Sequence, residues 1–311
     1  MDRQVIKYDL ILLLAAVIWG FAFVAQRAGM EYIGPFAYNA LRFGLGSLAL
    51  LIVLMVRRKP LFLSSGNEFR EDNSSLLKGG IIIGLILFVG AAFQQTGLVY
   101  TTAGKAGFIT GLYVVIVPLL GLMFRQRVGI STWVGACVCV VGLYLLSITG
   151  DFKAIRGDMY VLAGAFVWGW HVLAVGFYSP KVDAIKLALI QSLICAGLSL
   201  IVSLIFETTT LDAILAAKIP ILYAGIFSAG IAFTLQIIGQ KNSPSAHAAI
   251  IMSLEAVFAV VGGTIILGEL LSTRAWVGCG LMLCGMILSQ VSRFNQKKES
   301  SINPHIFNKP V

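Results

Sequence analysis

The sequence predicts an all-α integral membrane protein of ten transmembrane helices, arranged as two inverted five-helix repeats. Three observations lead there. The 311 residues are 58% hydrophobic and only 12% charged, against about 25% charged in an ordinary soluble domain, and the mean hydropathy is +0.91. The apolar residues gather into ten runs, each approaching the roughly 20 residues that cross a bilayer. The second five runs repeat the first. Trp19-Gly20 recurs as Trp168-Gly169, Gln94-x-x-Gly97 as Gln236-x-x-Gly239, and Trp133-Val134-Gly135 with Gly142 as Trp276-Val277-Gly278 with Gly285. The offsets of 149, 142 and 143 residues fit one duplication with short insertions.

The expected spans, in order, are 10–27, 35–56, 79–100, 105–124 and 133–148, then 159–178, 187–206, 219–239, 246–267 and 276–292. They read as helices because a lipid-exposed segment must satisfy its own backbone polar groups, and they lack the alternation of barrel strands. The units are a first repeat over 10–148, a linker over 149–158, a second repeat over 159–292 and a cytoplasmic tail over 293–311. Five is odd, so five crossings per half place the halves in opposite orientations, a signature of secondary transporters with a midplane site between the halves.

Charge placement orients the chain. With the N-terminus inside, cytoplasmic segments hold 16 Lys/Arg and outer loops six, with Arg42 inside a span. That bias gives N-in, C-in topology, expected in a bacterial inner membrane. It accounts for the net charge of +9 without a patch for nucleic acid. Arg3 and Lys7 before the first apolar run also suit a signal peptide, but the repeat needs that helix, since Trp19-Gly20 has a partner in the sixth. The five cysteines (Cys137, Cys139, Cys195, Cys279, Cys284) all lie inside spans and read as small packing residues.

The longest loop, Arg57 to Lys78, reads as a flexible cytoplasmic connection, and the tail from Gln296 as polar and disordered. Gly80-x-x-x-Gly84 and Gly107-x-x-x-Gly111 put small residues on one face of the third and fourth helices, allowing close approach or sliding during alternating access.

The Trp-Gly pairs, Arg42 in the second helix, and Ser253-Leu254-Glu255-Ala256-Val257-Phe258-Ala259 ending in Leu267-Gly268-Glu269 resemble the EamA family of the drug/metabolite transporter superfamily. Ala256 replaces that family's usual proline, and Gln126-Arg127 stand where the first half would carry its Leu-Gly-Glu turn. The resemblance covers about residues 10–292. It implies a carrier, usually an exporter of amino acids or small metabolites, working by alternating access. The family often carries a Glu at the Glu255 position whatever the substrate.

Polar groups at membrane depth are costly, and so are functional candidates. Glu255 lies about 13 Å into the ninth span at 1.5 Å per residue, near the middle of a core about 30 Å thick. Its carboxylate needs a partner or water, which suits proton coupling or amine binding, or else orders a helix interface. Its mate at the 142-residue offset is Tyr113. Arg42, whose mate at 149 is Gln191, either holds a substrate carboxylate, snorkels outward or ties helix ends together. Trp19 and Trp168 sit mid-span and either wall a cavity or pack between helices. Gln94 and Gln236 are repeat mates whose amides need partners, and Asn39 and Gln95 belong to the same set. His171 is one turn past Trp168, a core histidine or a titrating one. Lys105 and His247, mates at 142 residues, mark interfaces or gates.

The expected substrate-binding set is therefore Trp19, Asn39, Arg42, Gln94, Tyr113, Trp168, His171, Gln191 and Gln236, with Glu255 for coupling. Helices one to four and six to nine would line the cavity, and five and ten would support it. A nucleotide-sugar or sugar-phosphate antiporter would need clustered Lys/Arg at depth, where the spans offer Arg42. A membrane-embedded enzyme would need a nucleophile, base and orienter in reach, and the chain has three histidines and no His-Glu-x-x-His or phosphate-binding loop. No cofactor, metal or nucleic acid is expected. The partners are a small-molecule substrate and the bilayer, with the chain a monomer or weak homodimer.

Overall fold

The computed structural model describes residues 3–57, 73–124, 128–147, 156–267 and 272–302, and every regular element among them is helical. The first half contains α1 (Arg3–Gly29), α2 (Pro35–Val56), α3 (Asn73–Leu98), α4 (Ala103–Gly111), α5 (Tyr113–Met123) and α6 (Ile130–Ser147). The second contains α7 (Arg156–Tyr178), α8 (Ala184–Phe206), short α9 (Leu211–Ala216), α10 (Lys218–Tyr223), a π-helical segment (Ala224–Ala232), α11 (Phe233–Gln240), α12 (Ser245–Met252), α13 (Glu255–Leu267) and α14 (Thr273–Ile302). Among the described residues, eight stretches are long and apolar enough to cross a membrane. Two shorter ones, Ile130–Leu145 and Trp276–Leu288, stand where the fifth and tenth crossings are expected.

The ends of these helices follow local chemistry. Pro35 opens α2, where its missing N–H costs nothing, and the Glu207 carboxylate accepts from Phe36 N and Ala37 N at 3.0 and 2.7 Å. Thr102 caps α4 by accepting from Lys105 N, and Asp183 caps α8 by accepting from Ile185 N and Lys186 N. At its far end α14 runs through to Ile302, so residues 296–302 are helical where a disordered tail is expected. Gln, Lys and Glu are good helix formers, and extending an existing helix needs no new nucleus. Gln126-Arg127, Gly268-Glu269, most of the Arg57–Lys78 loop, the greater part of the 149–158 linker and the last nine residues lie outside the described residues.

Two spans change pitch at matching places. Leu112 N donates to Ile109 O, and Leu254 N to Ile251 O, each at 3.2 Å. These i→i−3 bonds tighten one turn between α4 and α5 and again between α12 and α13. Each tightened turn is followed by a polar residue that begins the next segment, Tyr113 in one case and Glu255 in the other.

Helix packing pairs elements across the halves: α6 on α14, α2 on α8, α3 on α7 and α8, and α1 on α13. Glycines set the closest approaches. A Cβ at Gly142 would stand 2.7 Å from Gly278 O, and one at Gly285 would stand 2.6 Å from Gly135 O. Gly20 abuts Phe258, while Gly169 abuts Ile116, two residues that are themselves 142 apart. Gly80 and Gly84 face Ile190 and Ile194 of α8, the close packing their spacing predicts. Gly107 and Gly111 divide between α13 (Ala259) and α6 (Leu143).

Candidate functional site

A cavity with about 490 Å3 of atom-free space, part of it open, lies among these helices. Trp19, Phe23 and Gln26 come from α1, Arg42 from α2, Gln94 from α3, Thr110 from α4 and Tyr113 from α5. Trp168, His171 and Val172 come from α7, Ser228 from the π segment, Phe233 and Gln236 from α11, Met252 from α12 and Glu255 from α13. The expected lining thus holds for every predicted helix except α8, and α6 and α14 stand outside it.

Arg42 is 2% exposed, so it does not snorkel outward. Its Nε donates to Asn39 Oδ1 at 2.9 Å, and Asn39 Nδ2 donates to Ala91 O of α3 at 3.2 Å. The guanidinium also lies 4.6 Å over the Phe43 ring. One edge of the group is therefore anchored, and Arg42 borders the cavity. Among the described residues no carboxylate pairs with it.

Glu255 is 4% exposed, interacts with Tyr113, and has no hydrogen-bond partner for Oε1. The repeat mates Tyr113 and Glu255 therefore meet in the cavity, each brought there by a tightened turn. On the cavity wall, Phe233 collects the aromatics. Its ring is 5.0 Å from Trp19, 6.2 Å from Trp168, 5.7 Å from His171 and 5.9 Å from Phe43.

The amides are partly used. Gln94 Nε2 donates to Gln26 Oε1 (3.0 Å), and Gln95 Nε2 donates to Gln26 O (3.3 Å). Gln236 Nε2 donates to Gln240 Oε1, and Gln240 Nε2 in turn to Val172 O. His171 Nε2 lies 3.2 Å from Gln191 Oε1. Trp168 Nε1, Thr110 Oγ1, His171 Nδ1, Gln236 Oε1 and Glu255 Oε1 are buried without a protein partner. Buried polar atoms are nearly always paired, so this concentration of unpaired donors and acceptors around one cavity fits a polar ligand or water.

The structure brings Trp19, Arg42, Gln94, Tyr113, Trp168, His171, Gln236 and Glu255 to the lining and leaves Asn39 and Gln191 behind it. Asn39 positions Arg42 and Gln191 positions His171, so both touch the site through another residue. Sequence reasoning misses Gln26, Phe23, Thr110, Ser228, Phe233, Val172 and Met252. Gln26 was recoverable as an amide in the last turn of the first span. The apolar ones carry no signal that separates them from lipid-facing neighbours.

Comparison with known proteins agrees with this architecture. The profile of the EamA-like transporter family matches residues 6–148 and again 155–290. An "Uncharacterized transporter" of Archaeoglobus fulgidus is 32% identical over 281 residues, covering 90% of this chain and 84% of that protein. The "Uncharacterized inner membrane transporter YedA" of Escherichia coli (strain K12) is 25% identical, covering 89% of each. A solved crystal structure superimposes with a TM-score of 0.74 over 92% of this chain and 96% of its own, at 18% identity, a likeness of fold. With the profile matching both halves of a multi-helical membrane chain and named transporters aligned along nearly its whole length, this protein belongs to the EamA-like transporter family.

Proposed function

We propose that the protein is a secondary transporter that exports amino acids or small metabolites by alternating access, coupled to protons through Glu255. The observation that carries this reading is the two-poled cavity. An anchored guanidinium without a carboxylate partner borders it on α2, and a carboxylate with an unpaired oxygen borders it on α13. A zwitterion carries a carboxylate for the one and an ammonium for the other, and Trp19, Phe233 and Trp168 offer an apolar wall for its side chain.

Ten crossings with both termini inside, built from two inverted halves, suit this mechanism. The double profile match, the Lys/Arg bias and the matched contacts of Gly142 with Gly285 and Gly20 with Gly169 support that arrangement. A bacterial inner membrane is its proposed place. Arg42 is the single Lys or Arg on the cavity wall among the described residues, which speaks against a sugar-phosphate or nucleotide-sugar antiporter, where several cations would face the phosphates.

The test is counterflow of pooled, labelled amino acids in proteoliposomes, wild type beside Glu255→Gln. Wild-type exchange is expected, with dependence on an imposed pH gradient that the mutant loses. Gradient dependence retained in Glu255→Gln removes Glu255 from coupling. Failure of wild type to exchange any amino acid overturns the substrate class.

A further inference from the structure

The matching contacts of the two halves fall out of step by one residue within one helix. Near the end of α3 Gly97 packs against Val161, and in α11 Gly239 packs against Leu12. Gly239 follows Gly97 by 142 positions and Val161 follows Leu12 by 149, the offsets that relate Gln236 to Gln94 and Trp168 to Trp19. Earlier in α3 Gly84 packs against Ile194, and at the start of the π segment Gly225 packs against Leu45. Ile194 again follows Leu45 by 149, but Gly225 follows Gly84 by 141. The second-half helix therefore carries one extra residue between Gly225 and Gly239.

A third contact narrows its place. Ala229 abuts Gly46, and at offsets of 142 and 149 the corresponding Leu87 and Cys195 lie in one buried cluster. The surplus thus falls within Ile226, Phe227 and Ser228, inside the π segment. A helix takes in one more residue between fixed ends by widening a turn to i→i+5 bonding, and Phe233 N donates to Ser228 O in that pattern.

The widened turn changes what faces the cavity. At 3.6 residues per turn, a regular helix would hold Ser228 and Phe233 about 140° apart, on different faces. The i→i+5 bond instead puts Phe233 one turn above Ser228, and both line the cavity together with Gln236. Ser228 also stands beside the helix that carries Arg42. Gly46, one turn past Arg42 on α2, meets Ala229 and Gly225 O, where a Cβ would stand 2.7 and 2.9 Å away. Phe43, under the guanidinium, lies 5.9 Å from Phe233.

We propose that the inserted residue turns the Ser228 hydroxyl onto the cavity wall, where it donates to the ligand carboxylate held by Arg42. The assignment rests on the amino-acid reading above. A carboxylate offers about four lone-pair sites and a guanidinium fork fills two of them, so a hydroxyl beside Arg42 has an acceptor left to meet. Thr234, on the same helix, has its own hydroxyl spent on Gly230 O at 2.7 Å.

The test removes the extra residue. Phe227 is 45% exposed and absent from the cavity wall, and its deletion restores α-helical spacing while keeping Gly225 and Ala229 on their partners. One arm needs no substrate. In the full-length protein, with the five native cysteines replaced by alanine, Ser228→Cys is expected to react with a maleimide and to lose most of that reactivity once Phe227 is deleted. The other arm is concentration-dependent counterflow. Ser228→Ala and the Phe227 deletion are each expected to raise half-saturation for an exchanged amino acid about tenfold, the low end for a hydrogen bond to a charged group, and together no further. Ser228→Thr keeps the hydroxyl and is expected to keep the affinity, which decides the contact should the deletion fold poorly. Undiminished labelling after deletion overturns the placement. Wild-type half-saturation in Ser228→Ala, equal losses in Ser228→Ala and Ser228→Thr, or losses that add in the combined variant overturn the contact. Labelling lost on deletion in a protein that exchanges no amino acid would leave the placement standing and remove the substrate class instead.

Discussion

If Arg42 holds a ligand carboxylate, the loss on removing the guanidinium and the loss on removing the carboxylate are the same loss. The Nε–Asn39 bond of 2.9 Å fixes the plane of the group, so its terminal nitrogens are presented without further ordering. Hydrogen bonds to charged groups are worth about 1.5–3 kcal/mol, or roughly 10- to 150-fold in apparent affinity at 1.4 kcal/mol per decade. Arg42→Met should weaken half-saturation for an exchanged amino acid by that factor, and so should converting the ligand carboxylate to a carboxamide. Combining the two should cost little more than either alone, since the coupling resides in the pair. Arg42→Lys should recover little, because an ammonium has no Nε–H for Asn39 Oδ1 and no fork. The assay is concentration-dependent counterflow of the acid and its amide by wild type and variants. Additive losses would refute the contact and leave Arg42 as a tie between α2 and α3.

Trp19→Ala and Trp168→Ala should impair exchange to similar degrees, because each removes one aromatic partner of Phe233, worth about 0.5–1.5 kcal/mol beyond buried area; wild-type rates in both would make them packing residues. Gly142→Val should lower the melting temperature in detergent, since its Cβ would stand 2.7 Å from Gly278 O and overpacking costs about 1–3 kcal/mol. Gly285→Val should match it, and an unchanged melt in both would contradict the packing described. Glu207→Ala should destabilise by about 0.5–2 kcal/mol through the freed Phe36 and Ala37 amides, read in the same melt; no shift would mean that water replaces the carboxylate.

The spans were legible because hydrophobic length is a direct requirement of the bilayer, and α2 begins and ends where its Pro35 and Arg57 boundaries predict. The charged and amide positions of the cavity were legible for the same reason: Arg42 and Glu255 stand out against an apolar background. What the sequence left unresolved is the phase of each helix. Asn39 and Arg42 are three residues apart and share a face, yet the shorter side chain ends behind the longer one and supports it. Phe233 is one of 19 phenylalanines, and only packing singles it out as the hub between the two tryptophans. The π segment carries no composition that marks it.

The glycines at which the halves pack closest are paired alike, and so are Trp19 with Trp168 and Gln94 with Gln236 on the cavity wall, but the charged positions of the lining are not. Gly142 and Gly285 make equivalent contacts, as do Gly20 and Gly169. Arg42 is matched with Gln191, Glu255 with Tyr113 and Lys105 with His247, and the π segment has its counterpart in regular α3. A scaffold of two like halves keeps two opposite end states close in energy, which a carrier needs if small ligand-dependent biases are to move it between them. A lining of the same symmetry would bind a ligand equally well in two reversed poses and give neither end state a chemical identity. On the amino-acid reading proposed above, a guanidinium supplied by α2 and a carboxylate by α13 favour one orientation of a zwitterion over its reverse. On the alternating-access reading proposed above, a scaffold paired alike and charged groups paired unlike are complementary demands of the same cycle.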